Sequence, residues 1–74
     1  MISSITEAQA TEIVKPHGFV ARRVRPGFYI NRGGDDLMYI SSVGEVTPYK
    51  HDAQAFYAAS RLGAAIRADL NQDR

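Results

Sequence analysis

The sequence predicts an α+β domain in the order α-β-β-β-α, a three-stranded antiparallel sheet with both helices on one face. Three observations lead there. At Gly18 the residue types change from helix formers to aromatic and β-branched side chains; the run that follows is cut twice, by "RPG" and "GGDD"; and beyond Ala53 apolar residues recur at spacings of three and four.

Helix one has two candidate N-caps, Ser4 with Glu7 and Thr6 with Gln9, each able to form a capping box. The spacing predicts a helix from about Ile5, with Ile5, Ala8, Glu12 and Ile13 along one stripe, ending near Lys15 because Pro16 and Gly18 follow. The three strands are "GFVARRV", "FYINR" and "LMYISS". Side chains alternate across a sheet, so register is argued from burial. Val24 opposite Phe28 and Ile30 opposite Ile40 gather Val20, Val24, Phe28, Ile30, Met38 and Ile40 on one apolar face. This register places Pro26 at the third position of a type I turn, where proline is disfavoured, so a bulge is expected there.

Helix two is expected to start at Thr47-Pro48 or at Asp52 and to be under way by Ala53. Phe56, Ala59, Leu62, Gly63, Ile66 and Leu70 form its apolar stripe, which matches the apolar face of the sheet. Ala55, Ala59 and Gly63 are small enough to allow a close approach to the strands. The 74 residues make a single small domain (1–74), with the tail 71–74 expected to fray.

Ten of the apolar residues are alanine, so the core rests on few large side chains. With no cysteine there is no disulfide framework or thiolate metal site, and the N-terminus lacks a secretory pattern. No run approaches the length of a membrane span. A soluble cytoplasmic protein without a membrane partner is expected.

Net charge is only +1, but every charged residue between Glu12 and Asp35 is basic: Lys15, Arg22, Arg23, Arg25 and Arg32. The plain reading is a solvated hairpin that resists edge-to-edge aggregation. The sharper one starts from the sheet. With the helices on one side, the register leaves Arg23, Tyr29, Asn31, Tyr39 and Ser41 on the other, with Arg25 at the rim. Tyrosine and arginine are over-represented at interface hot spots, so Arg23, Arg25, Tyr29, Asn31, Arg32 and Tyr39 are the predicted partner-binding residues. A nucleic acid is the alternative partner, with tyrosines stacking on bases and arginines holding phosphates. Near-neutral total charge and the nearby acids Asp35, Asp36 and Glu45 weigh against it. A third use of the face is self-association, so the chain is expected to be a monomer or homodimer.

Nothing in the sequence points to catalysis. His17 and His51 are far apart and lack metal-site spacing, Asp35 and Asp36 read as turn acids, and "NRGGDD" lacks the length and lysine of a phosphate-binding loop. No catalytic residue, cofactor or metal ligand is assigned.

Three resemblances bear on the expectation. The helix, three strands, helix order resembles the double-stranded RNA-binding domain, whose second helix opens on a basic cluster; here that start reads "YKHDAQA", with Lys50 and His51 in the cationic pattern and Asp52 against it. The segment "KPHGFVARRVRPGFY" is similar to the small toxin family HicA, in which a helix leads through a Gly-aromatic pair into a hairpin with a catalytic histidine. Phe28 and Tyr29 stand where that histidine would be, so the resemblance implies kinship of fold and not ribonuclease activity. Finally, a compact, cysteine-free domain with no catalytic signature resembles, as a class, the small accessory proteins of phages, including anti-CRISPR inhibitors. That resemblance implies a non-enzymatic protein that occupies a surface of a host defence nucleoprotein complex.

Overall fold

The computed structural model describes residues 3–72. Helix α1 spans Glu7–Val14 and runs into a single 3-10 turn at Lys15–His17. A four-stranded antiparallel meander follows, β1 (Val20–Val24), β2 (Gly27–Arg32), β3 (Asp35–Ile40) and β4 (Val46–Pro48), in spatial order 1-2-3-4, and α2 (Ala53–Gln72) closes the fold.

The α+β class, the antiparallel sheet and the placement of both helices against one face agree with the sequence reading; the strand count is corrected from three to four. The sequence predicts a loop or helix cap where β4 forms. The strand forms because the chain reverses at Ser41–Glu45, where Gly44 adopts φ 86°, Ser41 N–H donates to Glu45 O, and the Ser41 hydroxyl accepts from the Val43 and Glu45 N–H groups. Three residues with one half-buried valine are too few to show a period.

Of the two cap candidates, Thr6 is used. Its hydroxyl accepts from Gln9 N–H at 3.1 Å while the Gln9 side chain accepts from Thr6 N–H at 2.9 Å. Ser3 and Ser4 instead bind the far helix, donating to the Asp69 carboxylate from both hydroxyls and from Ser4 N–H. Gly18, at φ 88°, ends the 3-10 turn and turns the chain into β1.

The core unites Ala10 and Val14 of α1, Phe19, Ala21 of β1, Phe28 and Ile30 of β2, Leu37, Met38 and Ile40 of β3, and Ala55, Ala58, Ala59, Leu62 and Ile66 of α2. Of the expected α2 stripe, Ala59, Leu62, Gly63 and Ile66 are buried and Leu70 is half-buried at the margin, while Ala55 and Ala58 complete the contact and Phe56 is 51% exposed. Alanine is what lets the helix lie this close. At one point the approach is limited by backbone: a Cβ on Gly63 would lie 2.4 Å from Gly44 O, and Arg67 Nη1 donates to that same carbonyl at 2.8 Å. Helix α2 runs through Gln72, taking in the first two residues of the tail expected to fray; residues 73 and 74 lie outside the described residues.

Register differs from expectation in two ways with different consequences. Between β2 and β3, Phe28 faces Ile40 and Ile30 faces Met38, a slip of two residues that keeps Phe28, Tyr29, Ile30, Met38, Tyr39 and Ile40 on their expected faces. Leu37 is left over opposite the Ile30/Asn31 step, a bulge that lets Leu37 and Met38 both be buried. In β1 the slip is odd. Arg25-Pro26 forms a two-residue connection with a cis peptide bond, in place of the expected bulge, and pairs Val24 with Gly27, Arg23 with Phe28 and Ala21 with Ile30. Ala21 and Arg23 consequently face the helices, while Val20, Arg22 and Val24 face away. Val20 is 52% exposed.

Helix α1 explains why this odd register is stable. Thr11 Oγ1 both accepts from Ala21 N–H and donates to Ala21 O at 3.2 Å, and Glu7 Oε2 accepts from Arg23 N–H at 2.7 Å. The outward backbone groups of the β1 edge are thus taken by α1. On the opposite edge β4 is three residues long and ends in Pro48, which has no N–H. Both edges of the sheet resist strand addition.

Candidate binding face

The face of the sheet away from the helices carries a cross-strand row. Arg22 of β1 lies opposite Tyr29 of β2, Tyr29 opposite Tyr39 of β3, and Tyr39 opposite Thr47 of β4. Directly opposed residues in antiparallel strands bring their side chains together, which here puts three large polar-tipped groups side by side. The Tyr29 and Tyr39 rings meet at 5.3 Å between centroids, tilted by 59°. Tyr49, just past β4 and held by its N–H donating to Leu37 O at 2.9 Å, brings a third ring to 5.8 Å from Tyr29. The Arg22 guanidinium stands 5.3 Å from the Tyr29 centroid on the other side. Tyr29 is the centre of the cluster.

Below this row lies a polar base. Asp36 accepts from Arg22 Nη2 at 2.6 Å and from Asn31 Nδ2 at 2.9 Å, and the other Asn31 side-chain atom, Oδ1, accepts from Gly34 N–H at 3.2 Å. The Arg22 and Asn31 hydrogen bonds hold the Asp36 carboxyl below its ordinary range, and in return Asp36 raises the Arg22 guanidinium further. The Tyr49 phenol is pushed up, chiefly by hydrogen bonding with Tyr29 and then by desolvation, so it stays neutral in the working range. Tyr39 crosses over Gly27: a Cβ there would lie 2.9 Å from the Tyr39 hydroxyl and closer still to Ile40 O, so only glycine fits beneath the ring. Tyr29 and Tyr39 are half-buried by each other and Tyr49 is 54% exposed. The surface is aromatic, ordered by mutual contact and electrically balanced.

Of the six residues expected in the site, Tyr29, Asn31 and Tyr39 come together on this face. Arg25 sits exposed in the β1–β2 turn at its end. Arg23 does not belong to it: its guanidinium lies on the helix side, 4.5 Å from the Phe28 centroid, with Nη2 donating to Ile5 O at 2.8 Å. Arg32 is also on the helix side, ion-paired with Asp52 at 2.7 Å and 5.2 Å from the Phe19 centroid. The Arg32 bond is one of the causes that lower the Asp52 carboxyl, after the N–H of Ala55 at the start of α2. Ser41 serves the β3–β4 turn. Arg22, Asp36 and Tyr49 complete the face, and sequence reasoning missed each of them.

The His17 and Tyr57 rings meet at 5.1 Å between centroids, tilted by 56°, and His51 is exposed near the start of α2. Among the described residues no group of three or more metal-ligating side chains stands together, and no helix is long and apolar enough to cross a membrane. No family model, curated protein or solved structure matches the chain.

Proposed function

We propose that this chain is a non-enzymatic binding protein that acts by occupancy, covering a surface of a partner protein with the Tyr29, Tyr39 and Tyr49 face. The observation that carries this reading is the contact of three tyrosines on the face the helices leave open, where the charged groups, Arg22 and Asp36, neutralise one another. Aromatic rings give a large contact area at low entropic cost and keep a polar end for hydrogen bonding, which is what interface hot spots use. A standard interface takes about 800 Å² from each partner. The whole accessible surface is 4631 Å², so such a contact would occupy about a sixth of it, most of one face. With the β1 edge bonded to α1 and the β4 edge three residues long and ending in proline, recognition runs through side chains and not through strand pairing.

The distribution of charge favours protein over nucleic acid. Of the five basic residues that made the hairpin look like a phosphate grip, Arg22 is neutralised by Asp36, Arg32 by Asp52, and Arg23 lies behind the sheet. A phosphate-tracking surface needs cations in a row with the stacking bases, and the tyrosine row has none unpaired. The proposed partner class is a host defence nucleoprotein complex, with the chain as a phage inhibitor of anti-CRISPR type; the support is its build and its passive, neutral docking face.

Purified CRISPR effector complexes and single-stranded oligonucleotides titrated with the chain over increasing salt test this reading. A stable complex with an effector and a shallow salt dependence is expected. A shift of the oligonucleotide alone that weakens steeply with salt, as counterion competition demands, would sink it.

A further inference from the structure

A second feature lies outside the tyrosine face and outside the proposed function. On the helix side of the β1–β2 turn, Ser3, Ser4, Arg23, Arg25 and Pro26 line a cleft of about 540 Å³. Arg23 and Arg25 both reach it, and neither forms an ion pair among the described residues, whereas Arg22, Arg32 and Lys50 each have an aspartate.

The Arg23 guanidinium is fixed before any ligand arrives. Its Nη2 is bound to Ile5 O and its plane is held near the Phe28 ring, which leaves its remaining N–H donors uncommitted to any carboxylate. Arg25 adds a second, exposed guanidinium from the turn. The acids bonded to the lining residues are already engaged. Asp69 accepts from Ser3 and Ser4, which holds its carboxyl below the ordinary range, and Glu7 accepts from Arg23 N–H on the edge side. The serine hydroxyls donate to Asp69, so recognition rests on the two arginines.

From this geometry we infer that the cleft binds a doubly charged oxyanion, a phosphate or phosphate monoester, between Arg23 and Arg25. Forked guanidinium donors match the oxygens of phosphate, and two cations lining one cleft favour a dianion over a singly charged carboxylate or phosphodiester.

The test is an NMR titration of the full chain with inorganic phosphate at constant ionic strength, following the Nε–H signals of Arg23 and Arg25 and the amides of Ser3, Ser4 and Gly27. Saturable shifts confined to these groups are expected, with the Tyr29 and Tyr39 ring signals unmoved. Acetate and a dinucleotide phosphodiester should bind more weakly. Phenyl phosphate should bind as the dianion, with affinity falling as pH drops through about 6. Tighter binding of phenyl phosphate than of phosphate assigns the cleft to a phosphorylated macromolecule; the reverse assigns it to a free anion. Arg25→Gln, whose parent side chain has no hydrogen-bond or ion-pair partner among the described residues, should weaken binding about tenfold or more, and Arg23→Lys, which keeps the charge but loses the fork, should also weaken it. Shifts that never saturate, acetate binding equal to phosphate, or unchanged affinity in R25Q would each overturn the inference. Because none of these readouts involves the tyrosines, failure here leaves the proposed function standing, and the converse holds.

Discussion

Replacing Thr11 by valine isolates what α1 does for the sheet. The two side chains have the same shape and similar helix propensity, so the change removes the hydroxyl and little else. That hydroxyl accepts from Ala21 N–H and donates to Ala21 O, and Ala21 is only 1% exposed, so its backbone groups have little access to water. Leaving a buried donor or acceptor unpaired costs about 1–3 kcal/mol each. Both bonds are long at 3.2 Å, which puts each at the low end and the pair at about 2 kcal/mol. In a domain of this size 1 kcal/mol shifts the midpoint by about 4–8 °C, so T11V should melt about 8–16 °C lower. Thr11→Ser, which keeps the hydroxyl, should stay much closer to the parent. Thermal unfolding followed by circular dichroism gives both numbers. Light scattering on the same samples should show T11V beginning to self-associate as the β1 edge loses its cover. A T11V midpoint within about 3 °C of the parent, a loss of less than about 0.5 kcal/mol, would refute the claim that α1 holds the edge and, with it, the explanation of the β1 register.

Gly63→Ala should cost about 1–3 kcal/mol by denaturant unfolding, because its methyl would overlap Gly44 O and neither backbone has room to give. On acidification, the carboxyls of Asp36, Asp52 and Asp69, all held below the ordinary value of 3.8, resist protonation in the folded state. The unfolded chain therefore takes up protons first. The stability these groups supply is fully present above pH 3.8 and is lost as pH falls through their lower folded values, so the melting temperature should hold level near neutrality and decline in acid. Asp69→Asn, measured over the same range, should lower the neutral plateau and flatten the acid limb, since the amide keeps one oxygen acceptor for the serines but loses the charge.

The parts of the fold visible in the sequence are those where many residues vote together. The α+β class, two of the turns, the long helix and the outward aim of Tyr29 and Tyr39 all follow from runs of alternating or periodic residue types. A two-residue slip between β2 and β3 did no harm, because a period of two forgives even shifts. What was hidden depended on single contacts. Val20 and Val24 outweigh Ala21 and Arg23 on any burial scale, yet the turn at Arg25-Pro26 and the bonds from Thr11 and Glu7 set β1 the other way. Composition could not show that Arg23 would satisfy Ile5 O and cover Phe28, and so leave the face to Arg22. Tyr49 was missed because β4 is too short to carry a pattern. Phe56 was expected inside because it is large, whereas the tight packing of α2 favours alanine.

The central claim is that a protein partner is held by the tyrosine row. Tyr29→Ser with Tyr39→Ser removes two of its three rings and leaves the helix-side core intact. The tilted pair contributes about 0.5–1.5 kcal/mol beyond its buried area, so the double variant should remain folded with a modestly lower midpoint. Binding to the effector complex identified by titration should fall by about 30-fold or more, the loss expected when a hot-spot residue is truncated. A folded double variant that binds as tightly as the parent would place the docking surface elsewhere on the molecule and contradict this account.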